Sequence, residues 1–193
     1  VSSSWTRRLF LQTAVIGGAG ATFARKAAAQ ADSMQGKGVS ESLHSERAIH
    51  LFNTHTSETV SVIYRRGNEY DAAAIASLRN VMRDHVNGES HDIDVRLYDQ
   101  LHDLALAARC DPSFEIISGY RSPETNSKMA AASSGVAKHS LHMQGRAIDV
   151  RLHHCSCADL RDLALNAARG GVGYYEHSDF VHIDTGAFRT WNG

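Results

Sequence analysis

The sequence predicts an α+β domain built on a small, mainly antiparallel sheet packed with helices. Short β-rich runs open and close the main body of the chain, at 48–67 and 171–186. Between them lie segments with helical spacing of apolar residues. Single strands at 114–118 and 147–152 interrupt those helices, an alternation that suits helices laid against a sheet.

Each element has its own local cause. "AIHLFNTHTSETVSVIYRRG" (48–67) holds two β-rich runs around Thr56-Ser57-Glu58, the pattern of a hairpin. In 71–85, Ala74, Ile75, Leu78, Val81 and Met82 recur near helical spacing behind Asp71, an N-cap residue type. Residues 94–110 repeat the pattern with Leu97, Leu101, Leu104 and Leu106. "FEIIS" (114–118) reads as a strand running into Gly119, after which Ser122 and Pro123 open a helix as cap and first residue. "AIDVRL" (147–152) is a strand, 157–170 a helix ended by Gly170-Gly171, and 171–186 a closing hairpin with strands near 172–176 and 180–184.

The 193 residues suffice for one domain with a proper core. The first 31 are read as an export signal rather than fold. Arg7-Arg8 precedes an apolar Gly/Ala-rich stretch, 9–24, that is short and weak for a membrane span. Arg25-Lys26 and the small-x-small site Ala29-Gln30-Ala31 follow. This is the layout of a twin-arginine signal cleaved after Ala31, a route that carries folded proteins to the periplasm or the exterior. Polar residues 32–47 read as a flexible linker, and 48–193 as the domain. Without the signal, 16 basic residues stand against 21 acidic ones and form no basic cluster, which argues against a nucleic-acid partner. The odd cysteine count leaves at least one of Cys110, Cys155 and Cys157 outside any internal disulfide, and the pairing stays open.

Strand parity locates the chemistry. Along 147–152, Ile148, Val150 and Leu152 share one face, and Ala147, Asp149 and Arg151 the other. In "FVHID", Val181 and Ile183 oppose Phe180, His182 and Asp184. If the two strands are neighbours, Asp149 and His182 converge and His142 reaches them from the preceding loop. Two histidines and an aspartate with an open fourth position form a catalytic zinc arrangement. Two surface imidazoles and a strand-edge carboxylate would show the same spacing, so spacing alone leaves both readings standing.

"SLHMQGRAID" follows the pattern S-x-H-x-x-G-x-A-x-D. That pattern resembles the D-Ala-D-Ala-type zinc peptidases of peptidoglycan. "ISGYRSPETN", "SSGVAKHSLHMQGRAID", "GGVGYY" and "FVHIDTG" together resemble their YcbK/MepK-like murein endopeptidase branch, from about Leu51 to Trp191. The resemblance implies a hedgehog/D-Ala-D-Ala peptidase-like fold with zinc on the sheet face, held by His142, Asp149 and His182. It implies that Arg121 faces the scissile carbonyl or a substrate carboxylate, and that the substrate is a peptidoglycan peptide or crosslink. It leaves endopeptidase and D,D-carboxypeptidase chemistry both open. Ser140 and Gln144 lie on the same loop as candidate substrate contacts, and Asp184 as a residue that orients a ligand.

The general base departs from the pattern. Relatives place a Glu three residues, or a His five residues, before the last histidine. Here those positions hold Asp179 and His177, of which His177 is preferred, with Glu176 third. The same departure leaves a rival reading, a non-catalytic zinc-containing module that binds peptidoglycan. "HHCSC" (153–157) is read as a loop and helix start, although imidazoles and thiols also suit a soft metal.

Overall fold

The computed structural model describes residues 46–133 and 135–193. The expected export signal lies outside them, as does the expected linker up to residue 45. The last two linker residues, Glu46 and Arg47, instead open the first strand. No helix among the described residues is long and apolar enough to cross a membrane.

In chain order the elements are β1 (Glu46–Asn53), β2 (Thr59–Arg66), β3 (Glu69–Tyr70), α1 (Ala72–Val81) and α2 (Val95–Ala107). Then come β4 (Ser113–Ser118), α3 (Pro123–Ala132), a 3-10 turn (Leu141–Gln144) and β5 (Ala147–Leu152). The chain ends with α4 (Cys157–Ala167), β6 (Gly171–Tyr175), β7 (Phe180–Asp184) and β8 (Arg189–Asn192). The strands form one sheet in the order β3-β2-β1-β4-β5-β7-β6-β8. The fold is α+β as expected, but the sheet is eight-stranded and mixed rather than small and mainly antiparallel. Its parallel pairs are β1 with β4, joined by a crossover through α1 and α2, and β6 with β8. Strand direction depends on such connections, which period-two alternation does not encode. The unforeseen strands β3 and β8 are also too short to display that alternation.

The caps form as their side chains dictate. Asp71 accepts the Ala74 N–H at 2.9 Å, Asp94 the Arg96 N–H at 3.1 Å, and Ser122 the Thr125 N–H at 3.1 Å. Two helices stop earlier than the apolar spacing suggests. After Val81 the chain turns back because buried Asp84 accepts the N–H groups of Val86 and Ser122, each at 2.9 Å. Helix α4 ends at Ala167, with Ala168 in the left-handed region at φ 50°, so Gly170-Gly171 is not its cap.

The sheet has two unlike faces. Helices α1, α2 and α4 cover one of them, where Leu78, Leu97, Leu101 and Leu160 meet Ile49, Phe114, Ile116, Ile148, Val150, Val181 and Ile183. The other face carries Asp149, His182 and Asp184. Alternation along β5 and β7 thus places the aliphatic residues in the core and the ionisable ones on the reverse side.

Asp99 fastens α2 to the outer strands. It accepts hydrogen bonds from Tyr64 (3.1 Å), Tyr70 (2.6 Å) and Arg65 (2.9 Å). Burial on its own would raise its pKa, but the two phenols and Arg65 outweigh burial and hold it below the usual carboxylate value. A depressed folded-state pKa means stability present above about pH 4 and lost as pH falls through the folded value. Asp99→Asn is therefore expected to lower stability by about 1–3 kcal/mol at pH 7. Thermal unfolding of both proteins should show the gap narrowing below about pH 4; a gap independent of pH would contradict the assignment.

Candidate metal centre

The site is built from a turn and two adjacent strands. Ser140 caps the 3-10 turn, accepting the His142 N–H at 3.3 Å. Gly145 ends the turn in the left-handed region at φ 62°, where a Cβ would collide with the Asp92 carbonyl. This tight return sets His142 above the start of β5. Strands β5 and β7 pair antiparallel with Asp149 directly opposite His182. Nε2 of His142 lies 3.2 Å from Nδ1 of His182, and Oδ1 of Asp149 lies 3.3 Å from the former and 2.8 Å from the latter. All three residues are buried.

The outer nitrogen of each ring fixes which nitrogen is bare. Nδ1 of His142 faces the Gly119 carbonyl at 2.7 Å; a carbonyl only accepts, so Nδ1 carries the proton and Nε2 a lone pair. Nε2 of His182 faces the Asp184 carboxylate at 3.1 Å, and a proton held there leaves Nδ1, 2.8 Å from Asp149, available to a metal. With both ring protons turned outward, two ring nitrogens and a carboxylate oxygen converge on one point, the donor set of a metal. A tetrahedral metal with ligands at about 2.0–2.2 Å separates them by about 3.3–3.6 Å. Two of the observed spacings, 3.3 and 3.2 Å, lie at the lower edge of that range and the third, 2.8 Å, is shorter; with the open side facing a cavity, these residues fit a metal with three protein ligands.

The electrostatics agree. Burial alone would raise the Asp149 pKa, but the His142 and His182 imidazoles overcome it and hold the carboxyl well below the usual range. For His182, burial lowers the pKa and the flanking Asp149 and Asp184 carboxylates more than reverse this. The pocket attracts positive charge. Among the described residues, His142, Asp149 and His182 form the only His/Cys/Asp/Glu cluster with metal-ligand spacing. His153 and His154 are exposed, and no such cluster forms around "HHCSC", whose two thiols are free, as is that of Cys110.

Arg121 joins the three. Its guanidinium is held by Ser118 Oγ at 3.1 Å and Asn126 Oδ1 at 3.3 Å, and lies 4.0 Å from Oδ2 of Asp149. Together these four residues line a cavity of about 790 Å³. One side of it carries His55 stacked on His85 at 3.8 Å, and another Tyr175, Phe180 and Trp191. Ser140 and His139 also line it, whereas Gln144 is exposed and stands apart. His177 and Asp179 are not brought to the cavity. Both are exposed on the β6–β7 turn, where Arg151 lies 3.5 Å from the Asp179 carboxylate. Asp184 is fully buried beside His182. Arg189 and Trp191 were not foreseen as site residues. Their separation of two places them on one face of β8, a signal visible only once "RTWN" is known to be a strand.

A family model described as peptidoglycan L,D-endopeptidase MepK matches residues 41–191. The chain is 39% identical over 145 residues to peptidoglycan L,D-endopeptidase MepK of Escherichia coli (strain K12), covering 75% of this chain and 80% of that protein. The protein of the same name from Shigella flexneri matches with the same identity and coverage. A probable peptidoglycan L,D-endopeptidase MepK of Haemophilus influenzae is 35% identical over 149 residues, covering 76% of this chain and 80% of its own length. No solved structure matches the chain.

Proposed function

This chain belongs to the peptidoglycan L,D-endopeptidase MepK family of M15 peptidases, and from that premise we propose that it hydrolyses amide bonds in peptidoglycan crosslinks at a zinc ion held by His142, Asp149 and His182. The observation that carries the reading is the convergence of three ligand atoms, from His142, Asp149 and His182, beside Arg121 on one cavity. The relatives' names favour an endopeptidase, and nothing in them supports the D,D-carboxypeptidase alternative.

When bound, the metal supplies Lewis-acid polarisation of a carbonyl and acidifies water toward neutral pH. The protein supplies the rest. His142 and His182 present bare nitrogens because Gly119 and Asp184 hold their other ring protons. Arg121, fixed by Ser118 and Asn126, offers N–H donors where a carbonyl oxygen gains negative charge. The aromatic wall of Tyr175, Phe180 and Trp191 gives a peptide an apolar surface to lie against. Proton transfer is assigned to His177, with Asp179 as the alternative, and requires the β6–β7 turn to move toward the cavity. Their distance from the cavity favours the second reading, a zinc-containing module that binds peptidoglycan without cutting it. A peptidoglycan substrate places the working protein in the periplasm or outside the cell. The Arg7-Arg8 segment is the proposed twin-arginine export signal and 32–45 the linker, with the domain starting at Glu46.

Mass spectrometry of a defined muropeptide set incubated with the zinc-loaded chain tests the proposal. Crosslinked dimers should be converted to monomers by addition of water. Release of terminal D-alanine alone would indicate a carboxypeptidase, and binding without turnover the module.

A further inference from the structure

We propose that Arg189 is a positioning residue for the metal centre. It clamps the Asp184 carboxylate, which holds the Nε2 proton of His182 and so directs Nδ1 toward His142 and Asp149. The proposal rests on the reading of those three residues as metal ligands, and identifies what sets the orientation of one of them.

Asp184 has no access to solvent, yet every contact it makes is to a donor. Its Oδ1 accepts the Gly171 N–H at 2.9 Å, the Gly186 N–H at 2.8 Å and Arg189 Nη1 at 3.2 Å. Its Oδ2 accepts Arg189 Nη2 at 2.6 Å and faces His182 Nε2 at 3.1 Å. Two guanidinium donors on two carboxylate oxygens fix the plane of the carboxylate as well as its place. The backbone donors reach only Oδ1. The oxygen that faces the imidazole is therefore held from the other side by Arg189.

The last strand is arranged to present that arginine. Gly171 pairs with Arg189 across β6 and β8, and a Cβ on Gly171 would collide with both the Asp184 carboxylate and the guanidinium. Trp191, two residues on, lies under the Arg189 guanidinium at 5.0 Å and against the His182 ring at 5.0 Å. Its indole N–H donates to the Tyr175 hydroxyl at 3.0 Å, which pins the ring. The outer side of His182 is thus enclosed by residues contributed from β8. Arg189 itself is half-exposed, so its removal opens no core cavity.

The test measures the zinc Kd of the full chain by competition with a chromophoric chelator, alongside the thermal midpoint of each metal-free protein. Arg189→Met is expected to weaken zinc binding about 10–100-fold, read at a temperature well below the metal-free midpoint, which falls because buried Asp184 loses its cation. Arg189→Lys should recover part of the loss, because an ammonium restores the charge but not the two-pronged geometry. Arg189 acts through Asp184, so Asp184→Asn/Arg189→Met should bind no more weakly than Asp184→Asn alone. Additive losses, or an unchanged Kd in Arg189→Met and Arg189→Lys, would overturn the proposal while leaving the metal centre intact. A wild-type chain that binds no zinc would overturn both.

Discussion

Replacing Asp149 with alanine is expected to lower crosslink hydrolysis by about 10³-fold or more, since it removes one of three ligands and the only carboxylate among them. The same variant should lose the stabilisation that zinc confers. A ligand bound only to the folded state stabilises it by about 2.7 kcal/mol at a hundred times its Kd. Zinc should therefore raise the thermal midpoint of the wild-type chain and leave that of Asp149→Ala nearly unmoved. The metal-free proteins should differ much less. Alanine takes away a carboxylate whose burial is costly, but it also removes the partner of two imidazole nitrogens at 2.8 and 3.3 Å and a counter-charge 4.0 Å from Arg121. An Asp149→Ala protein that keeps both turnover and its response to zinc would remove Asp149 from the centre.

Arg121→Met separates the second role from the first. It is expected to reduce kcat by about 10²–10³-fold, the size of effect seen when a donor to a developing oxyanion is lost. Zinc affinity should hold or tighten slightly, because the substitution removes a positive charge near Asp149. The split between constants identifies what Arg121 faces. A fall in kcat with KM little changed places it at the scissile carbonyl, whereas a raised KM with kcat preserved places it on a substrate carboxylate.

Much of this arrangement is legible in the sequence, and the limit has a physical cause. Alternation along 147–152 and 180–184 assigns each residue to a face, because side chains alternate whatever the partner strand is. That β5 and β7 are neighbours is a tertiary fact, and the pairing of Asp149 with His182 depends on it. The same distinction explains the sheet. Caps at Asp71 and Ser122 are local and legible in the sequence, while the parallel pairing of β1 with β4 joins segments about sixty residues apart. Helix α1 ends where Asp84 reaches Ser122, another long-range contact that apolar spacing does not register. Arg189 and Trp191 give no such signal because a four-residue strand carries too little alternation to be recognised. His177 and Asp179 were chosen by their separation from His182, but the left-handed Asp179, at φ 51°, shapes a turn that carries both away from the cavity.

The most direct test combines metal binding with turnover in one sample. The full chain is stripped with a chelator, titrated with zinc, and assayed against a purified crosslinked muropeptide at each addition. Activity should be absent in the stripped protein and rise in proportion to bound zinc until about one ion per chain is held. Crosslink cleavage at the full rate by stripped protein, with no zinc taken up, would contradict the assignment of His142, Asp149 and His182 as a catalytic metal centre.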